Sequence, residues 1–411
     1  MEKQAKIKYD FLSHAVCILF LLYTVLRTYA LFGIRMADVM DYLLIFVYLI
    51  KCGINPKVLP QKLNNYFVFW VISVVFSSTW SGLNGLRPLM GIVHSYLFYL
   101  MLFDKSDKDL LLKYYRLIGF GFICFFFLQE FTFYTIGARI SGLIPGLAVL
   151  SDFESASEFA QYRMYNGRSS SLFSEPAHFV QFLLPLLAVE LFGAEDKKHN
   201  IRALIIVVAL LLSQSGNAMF GLAAIAVVYV VKRFSENRSF TTIAVTIVIL
   251  AGAVAGGIYY LSTEKGKALI DRKDQLSLTD YESGKSGFFR IYRGYYVYDN
   301  LSPIEKIIGV NDFSTLKARI NTSEVGFMFG DDDTYFNAVQ DIMIRTGLIG
   351  LFIFILFLAD LWKHNNYLGK SLICCLITLA FISAINLTST MAMFLVLAIY
   401  AKKNNKIQNI R

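Results

Sequence analysis

Apolar residues in this chain come in long stretches rather than at helical or strand spacing. Segments near 11–31, 37–53, 65–81, 86–103, 112–137, 175–193 and 201–213, then 217–231, 240–262, 338–361, 368–386 and 388–401, are dominated by them. A helix needs about 20 apolar residues to cross roughly 30 Å of hydrocarbon. The pattern therefore predicts an all-α polytopic membrane protein with about 12 transmembrane helices. The stretch 201–231 is apolar throughout, but one helix of that length would run roughly 46 Å. Ser213-Gln214-Ser215-Gly216-Asn217 interrupts it, so two short spans meeting at a polar elbow are expected. The first run follows MEKQAKIKYD, a basic start like that of a signal peptide. No small-residue cleavage site follows, and the run reads as a retained first helix.

Twelve spans make a second, independent demand: Lys and Arg should crowd alternate loops. One set of segments carries Lys3, Lys6, Lys8; Lys51, Lys57, Lys62; Lys105, Lys108, Lys113, Arg116; Lys197, Lys198, Arg202; Lys232, Arg233, Arg238; Lys363, Lys370; and Lys402, Lys403, Lys406, Arg411. The short turns of the other set hold only Arg35 and Arg87. Both termini are thus expected in the cytoplasm, with two long loops, 138–174 and 263–334, facing outward. Loops this long are functional or disordered. The second has ten basic and twelve acidic residues and the aromatic run Phe288, Phe289, Tyr292, Tyr295, Tyr296, Tyr298, which is not a disordered composition. It is expected to form a folded extracytoplasmic cap on the single membrane domain.

Composition agrees. Of 411 residues, 56% are hydrophobic and 17% charged, far too apolar a chain for a soluble core to absorb. Collagen, disorder and disulfide scaffolds are excluded. The net charge of +9 would suggest nucleic acid in a soluble protein, but here it belongs to the orienting cytoplasmic loops, and no nucleic-acid partner is expected. Cys17, Cys52, Cys124, Cys374 and Cys375 lie in or beside apolar stretches without metal or redox spacing, and read as packing residues. There is no phosphate-binding glycine loop, nucleophile elbow or helical His pair. Chemistry must then come from scattered polar residues near the outer face.

Three segments supply them. Asn166-Gly167-Arg168-Ser169-Ser170-Ser171-Leu172-Phe173-Ser174-Glu175-Pro176-Ala177-His178 leads directly into an apolar span. Pro176 suits the first helical turn, Ser174 its N-cap, and Glu175 its positive end, which accounts for everything except His178. A histidine one turn into a membrane helix, beside a carboxylate and downstream of an arginine, is a functional candidate. In Ser286-Gly287-Phe288-Phe289-Arg290-Ile291-Tyr292-Arg293-Gly294, a helix over 288–299 would place Arg290 and Arg293 on one face. Two guanidinium forks among aromatic rings can hold a pyrophosphate and stack on sugars; an interfacial helix touching lipid phosphate would have the same sequence. Gly330-Asp331-Asp332-Asp333-Thr334-Tyr335-Phe336-Asn337 then enters a helix that reaches Arg345-Thr346-Gly347-Leu348-Ile349-Gly350. The aspartates can bind a divalent ion, supply a base or simply cap the helix, and Asp341 and Arg345, four apart, can form an ion pair that eases the helix into the bilayer.

These residues resemble a known family, the Wzy-type O-antigen polymerases, within the wider class of O-antigen polymerases and ligases. The resemblance rests on Gly167-Arg168 with Leu172-Phe173-Ser174-Glu175-Pro176, on the break Ser213 to Asn217, on Arg290 followed by Pro303 and Gly309-Val310, and on Asp333 to Asn337 leading into Gly347-Leu348-Ile349-Gly350. It implies a GT-C-like, cofactor-free and metal-independent glycosyltransferase in a bacterial inner membrane, its site facing the periplasm. The growing glycan on undecaprenyl pyrophosphate would pass to the next lipid-linked repeat unit, with a chain-length regulator and a flippase as pathway partners in the bilayer. By resemblance Arg168 and Arg290 bind pyrophosphate, with Arg293 added from helical spacing. Glu175 comes first as base, then His178 and Asp333; Tyr292, Tyr295 and Tyr335 are expected to contact glycan. Ligases of the class place a histidine in the second long loop or at the start of the following helix, and 263–345 contains none, which favours the polymerase. The competing class is a secondary transporter or lipid-glycan flippase, disfavoured by the absence of internal repeats.

Overall fold

The computed structural model describes residues 10–77, 83–150, 155–193, 198–236, 291–323 and 335–402, of which 77% are helical. The apolar segment 240–262 and most of the second long loop lie outside the described residues. The chain forms two compact units, Met1–Gln61 with His94–Ala218 and Lys62–Val93 with Met219–Arg411.

Helices of the first unit are α1 (Phe11–Leu26), α2 (Met36–Cys52), most of α4 (Leu83–Lys105), α5 (Lys108–Ile136), α6 (Ala156–Gln161), α7 (Pro176–Phe192) and α8 (His199–Leu212). Asp10 caps α1 through Ser13 N, and Asp107 caps α5 through Asp109 N and Leu110 N. Every residue of α7 from Phe179 to Glu190 is buried. A helix apolar all round belongs at the centre of its unit. Gly119 lets α5 approach it, because a β-carbon there would meet Leu186 Cδ2 at 2.6 Å. At its far end the wholly buried Glu190 takes Arg116 Nε at 2.6 Å and Arg202 Nε at 2.7 Å, joining α5, α7 and α8. α2 turns the other way: Tyr42, Leu43, Phe46, Val47 and Ile50 are exposed while Ala37, Asp41, Ile45 and Tyr48 are buried. An apolar outer face is costly in water and natural in lipid.

The expectation of an all-α chain needs one correction. The segment 11–31 is not helical to its end; Tyr29–Leu31 (β1) pairs antiparallel with Ile34–Arg35 (β2) and with Ala148–Val149 (β3). Phe32 and Gly33 both have positive φ, 55° and 78°, as a two-residue hairpin turn requires. The small sheet ties the first long loop to the chain just after α1.

In the second unit lie α3 (Gln61–Ser77), most of α9 (Gly216–Glu236), the short α10 (Arg293–Asp299), α11 (Pro303–Ile308) and α12 (Phe313–Thr322), and then α13 (Ala338–His364), α14 (Tyr367–Ala380) and α15 (Ser389–Tyr400). α5, α9 and α13 are long and apolar enough to cross a membrane; α1, α7, α8, α14 and α15 are apolar but shorter. The helices are compatible with a membrane protein. α10 to α12 close a small core of Val297, Leu301, Val310, Leu316, Ile320, Phe336 and Ile344.

α13 is kinked within its length. Gly347 (φ 63°, ψ −168°) breaks it, and the chain around Gly309 (φ 87°) passes directly over the break. A β-carbon at Gly309 would collide with the Arg345 carbonyl, and one at Gly347 with Ile307 O. Carbonyls freed by the break find donors: Val310 N bonds Ile344 O at 2.7 Å and Asn311 Nδ2 bonds Arg345 O at 2.6 Å. Ser73 Oγ lies 2.8 Å from Ile308 O and 3.0 Å from Arg345 O, sharing one proton between them.

Candidate functional site

The first long loop is built as a strap, and Ser171 is its anchor. Its backbone is left-handed (φ 55°), and each of its polar groups is engaged. Ser171 N donates to Gln129 Oε1 at 2.8 Å, Ser171 Oγ to Phe122 O at 2.8 Å, and Ser171 O accepts Arg163 Nη2 at 2.7 Å and Gln129 Nε2 at 3.2 Å. Arg163 Nη2 also reaches Ser170 Oγ at 2.9 Å. Gly142 (φ 69°) fills the remaining space; a β-carbon there would meet Ser171 O, Arg163 Nη2 and Gln129 Nε2 together. Arg163 is 4% exposed with no carboxylate partner among the described residues, and burial pushes its guanidinium down to about 10, the Tyr29 phenol countering only in part. It stays charged at neutral pH. Arg139 joins the strap through Ser169 Oγ at 3.0 Å, with its guanidinium 3.5 Å over the Phe133 ring and Glu130 at 3.9 Å; burial lowers its pKa too, against the pull of Glu130 and Tyr134.

Arg168, Glu175 and His178 sit on this strap. Arg168 Nη1 donates to Gln214 O at 2.5 Å, at the elbow where α8 ends and α9 begins. Gln214 has φ 51°, and Ser213, Ser215 and Asn217 are buried around it. Two of the segments singled out in the sequence, 167–168 and 213–217, are therefore in contact. The helix start differs by one residue from expectation. Glu175, not Ser174, is the N-cap of α7, because Ser174 Oγ is paired with His178 Nδ1 at 3.0 Å. Glu175 makes no capping bond; its carboxylate is exposed and has no hydrogen bond or ion pair among the described residues. It does not orient His178, which Ser174 does instead.

In the second unit, Arg290 and Asp333 lie outside the described residues, so the shared face of Arg290 and Arg293 is not described either. Arg293 is 4% exposed and its Nη2 donates to Tyr335 O at 2.6 Å, tying α10 to the start of α13. Gln340 Nε2 bonds Ile291 O at 2.7 Å in the same joint. Tyr292 packs on the small core, Tyr295 is half-buried, and Tyr335, 39% exposed, accepts Ala384 N through its hydroxyl at 3.4 Å. Among the described residues no group of three His, Cys, Asp or Glu is placed to hold a metal.

Sequence reasoning missed Gln129, Arg163 and Gly142. The signal for the first was present: Gln129-Glu130 interrupts the apolar run FFFL–QE–F near the end of a span, and such polar pairs rarely face lipid. No protein-family model matches the chain, and no curated protein does.

Proposed function

We propose that the protein is a polymerase of lipid-linked glycans, a multi-pass glycosyltransferase of the bacterial inner membrane with both termini in the cytoplasm, about 12 spans and its site at the outer face. The observation that carries this reading is the strap: an exposed carboxylate, Glu175, and a half-buried guanidinium, Arg168, share one short segment pinned at Ser171 and at the α8–α9 elbow. The arrangement offers the two things a glycosyl transfer from a diphosphate carrier needs. An acceptor hydroxyl attacks the anomeric carbon; the new C–O bond forms as the bond to the diphosphate breaks, and the hydroxyl proton passes to a base. Glu175 would accept that proton, with His178 second. Arg168 would neutralise the departing diphosphate, whose charge would otherwise build unscreened in a low-dielectric setting. Arg290 and Asp333 keep their parts in the proposal by resemblance alone. The burial of Arg293 favours a structural use, and Tyr335 is the best exposed of the three tyrosines proposed to meet glycan.

Lipid-linked glycans of a deletion strain test the reading. Single repeat units accumulating on the outer face, with polymer restored by the wild-type chain but not by Arg168→Ala at equal protein level, are expected. Units trapped inside would make the protein a flippase, and a normal ladder would refute both.

A further inference from the structure

The Asp341–Arg345 pair has no part in the reading above. Arg345 stands in the last turn of α13 before Gly347, its carbonyl fixed by Asn311 and Ser73. Its Nε donates to Asp341 Oδ1 at 2.6 Å, Asp341 Oδ2 accepts Asn386 Nδ2 at 2.8 Å, and Asn386 Oδ1 accepts the buried Tyr66 hydroxyl at 3.4 Å. The carboxylate is thus held at both oxygens, while the guanidinium is held at Nε alone. Nη1 and Nη2 make no hydrogen bond or ion pair among the described residues, and the side chain is 24% exposed. A surface ion pair at i, i+4 needs no such support and contributes little. Here main chain and side chain are both fixed beside a purpose-built helix break, and charged groups in apolar helices mark sites rather than decoration. A guanidinium oriented through Nε presents two parallel N–H groups at its far edge, the geometry that grips an oxyanion. Leu348 and Ile349, just beyond the break, are 49% and 40% exposed, so a ligand reaching that edge meets apolar surface as well.

We infer that Arg345 is an oxyanion-binding residue, positioned by Asp341 and Asn386, that takes the phosphate oxygens of a lipid-borne ligand. That chemistry is shared by a polyprenyl diphosphate and by an anionic phospholipid headgroup; only the choice of the first rests on the proposed function.

The test uses the purified full chain in phosphatidylcholine nanodiscs, titrated with farnesyl diphosphate, with phosphatidylglycerol in a second arm and inorganic pyrophosphate in a third. Arg345→Gln is expected to weaken binding of the preferred lipid roughly 10- to 100-fold, the scale of losing a charge-assisted pair of hydrogen bonds. Arg345→Lys should fall between, since a point charge cannot reproduce the fork. The swap Asp341→Arg with Arg345→Asp restores an ion pair without the oriented edge, and should bind as poorly as Arg345→Gln. Thermal melting checks that each variant folds, and Arg345→Lys carries the test if Arg345→Gln does not. Wild-type binding by Arg345→Lys, or by the swap, would overturn the inference, as would tightest binding of inorganic pyrophosphate. Preference for phosphatidylglycerol, lost in Arg345→Lys, would keep Arg345 as an oxyanion residue but detach it from polymerisation. A normal glycan ladder in the deletion strain would sink the polymerase reading and leave these binding results standing.

Discussion

Gly347→Ala tests the broken helix directly. Two costs follow from the geometry. An L-residue at φ 63°, ψ −168° sits in a region essentially confined to glycine, at a cost of about 1–3 kcal/mol. The new methyl would also strike Ile307 O, a backbone atom that cannot rotate away, so the chain over the break must lift. Lifting it removes the Val310–Ile344 and Asn311–Arg345 bonds and Ser73's bond to Ile308 O, each worth about 0.5–1.5 kcal/mol net. The sum is roughly 3 to 7 kcal/mol, enough to undock the segment. Gly309→Ala should behave alike, and the double variant should cost little more than either, because the docking is lost only once. Gly53→Ala is the control: its φ is 68° but nothing lies within 4 Å, so strain alone remains. Hydrogen exchange of peptides over 303–311, with melting in detergent, reads the difference. If Gly347→Ala is no more destabilised than Gly53→Ala, or if the two docking glycines add fully, the interlock is not what holds the break.

Glu175→Gln should reduce polymer by about 10²-fold or more at unchanged protein level if its carboxylate is the base; loss with His178→Ala beside a near-normal ladder for Glu175→Gln would move the role to the imidazole. Glu305 gives a pH prediction. Burial alone would raise its pKa, but hydrogen bonds from Ser302 N, Ser302 Oγ and Arg319 outweigh it and hold the carboxyl below its ordinary 4.5. A depressed folded pKa stabilises above the unfolded value and loses that contribution as pH falls through the folded one. The melting advantage of wild type over Glu305→Gln should be constant near neutrality and shrink below about pH 4.5; an advantage that grows on acidification would reverse the sign of the argument.

Much of the helical layout was legible because apolar runs and polar breaks are local signals. The elbow at 213–217 appears where the sequence placed it, α8 ending at Leu212 and α9 starting at Gly216. Pro176 occupies the first turn of α7, as its fixed φ suggests. The N-cap was misassigned because Ser174 had a better partner four residues on, and a helix-start rule does not weigh that competition. Gly309-Val310 and Gly347 to Gly350 were visible as separate short motifs, yet their meaning is mutual: each glycine makes room for the backbone of the other segment. A relation across nearly 40 residues has no period to reveal it. The same holds for Gln129 and Ser171, which are 42 residues apart and complete each other's hydrogen bonds.

Burial also divides the arginines by what they can still do. Arg163 and Arg293 are each 4% exposed and spend donors on backbone carbonyls, at Ser171 and Tyr335, so neither can reach a diphosphate without first releasing the chain it holds. Their cost of desolvation is met by fixing a fold, and a guanidinium suits that work because its five donors fan out within one plane. Arg168 is half-buried and likewise spends Nη1 on a backbone carbonyl, that of Gln214 at the elbow. The resemblance puts Arg168 at the diphosphate, and helical spacing from Arg290 adds Arg293. Accessibility separates them: Arg293 is buried, whereas Arg168 and Arg345 stay partly exposed.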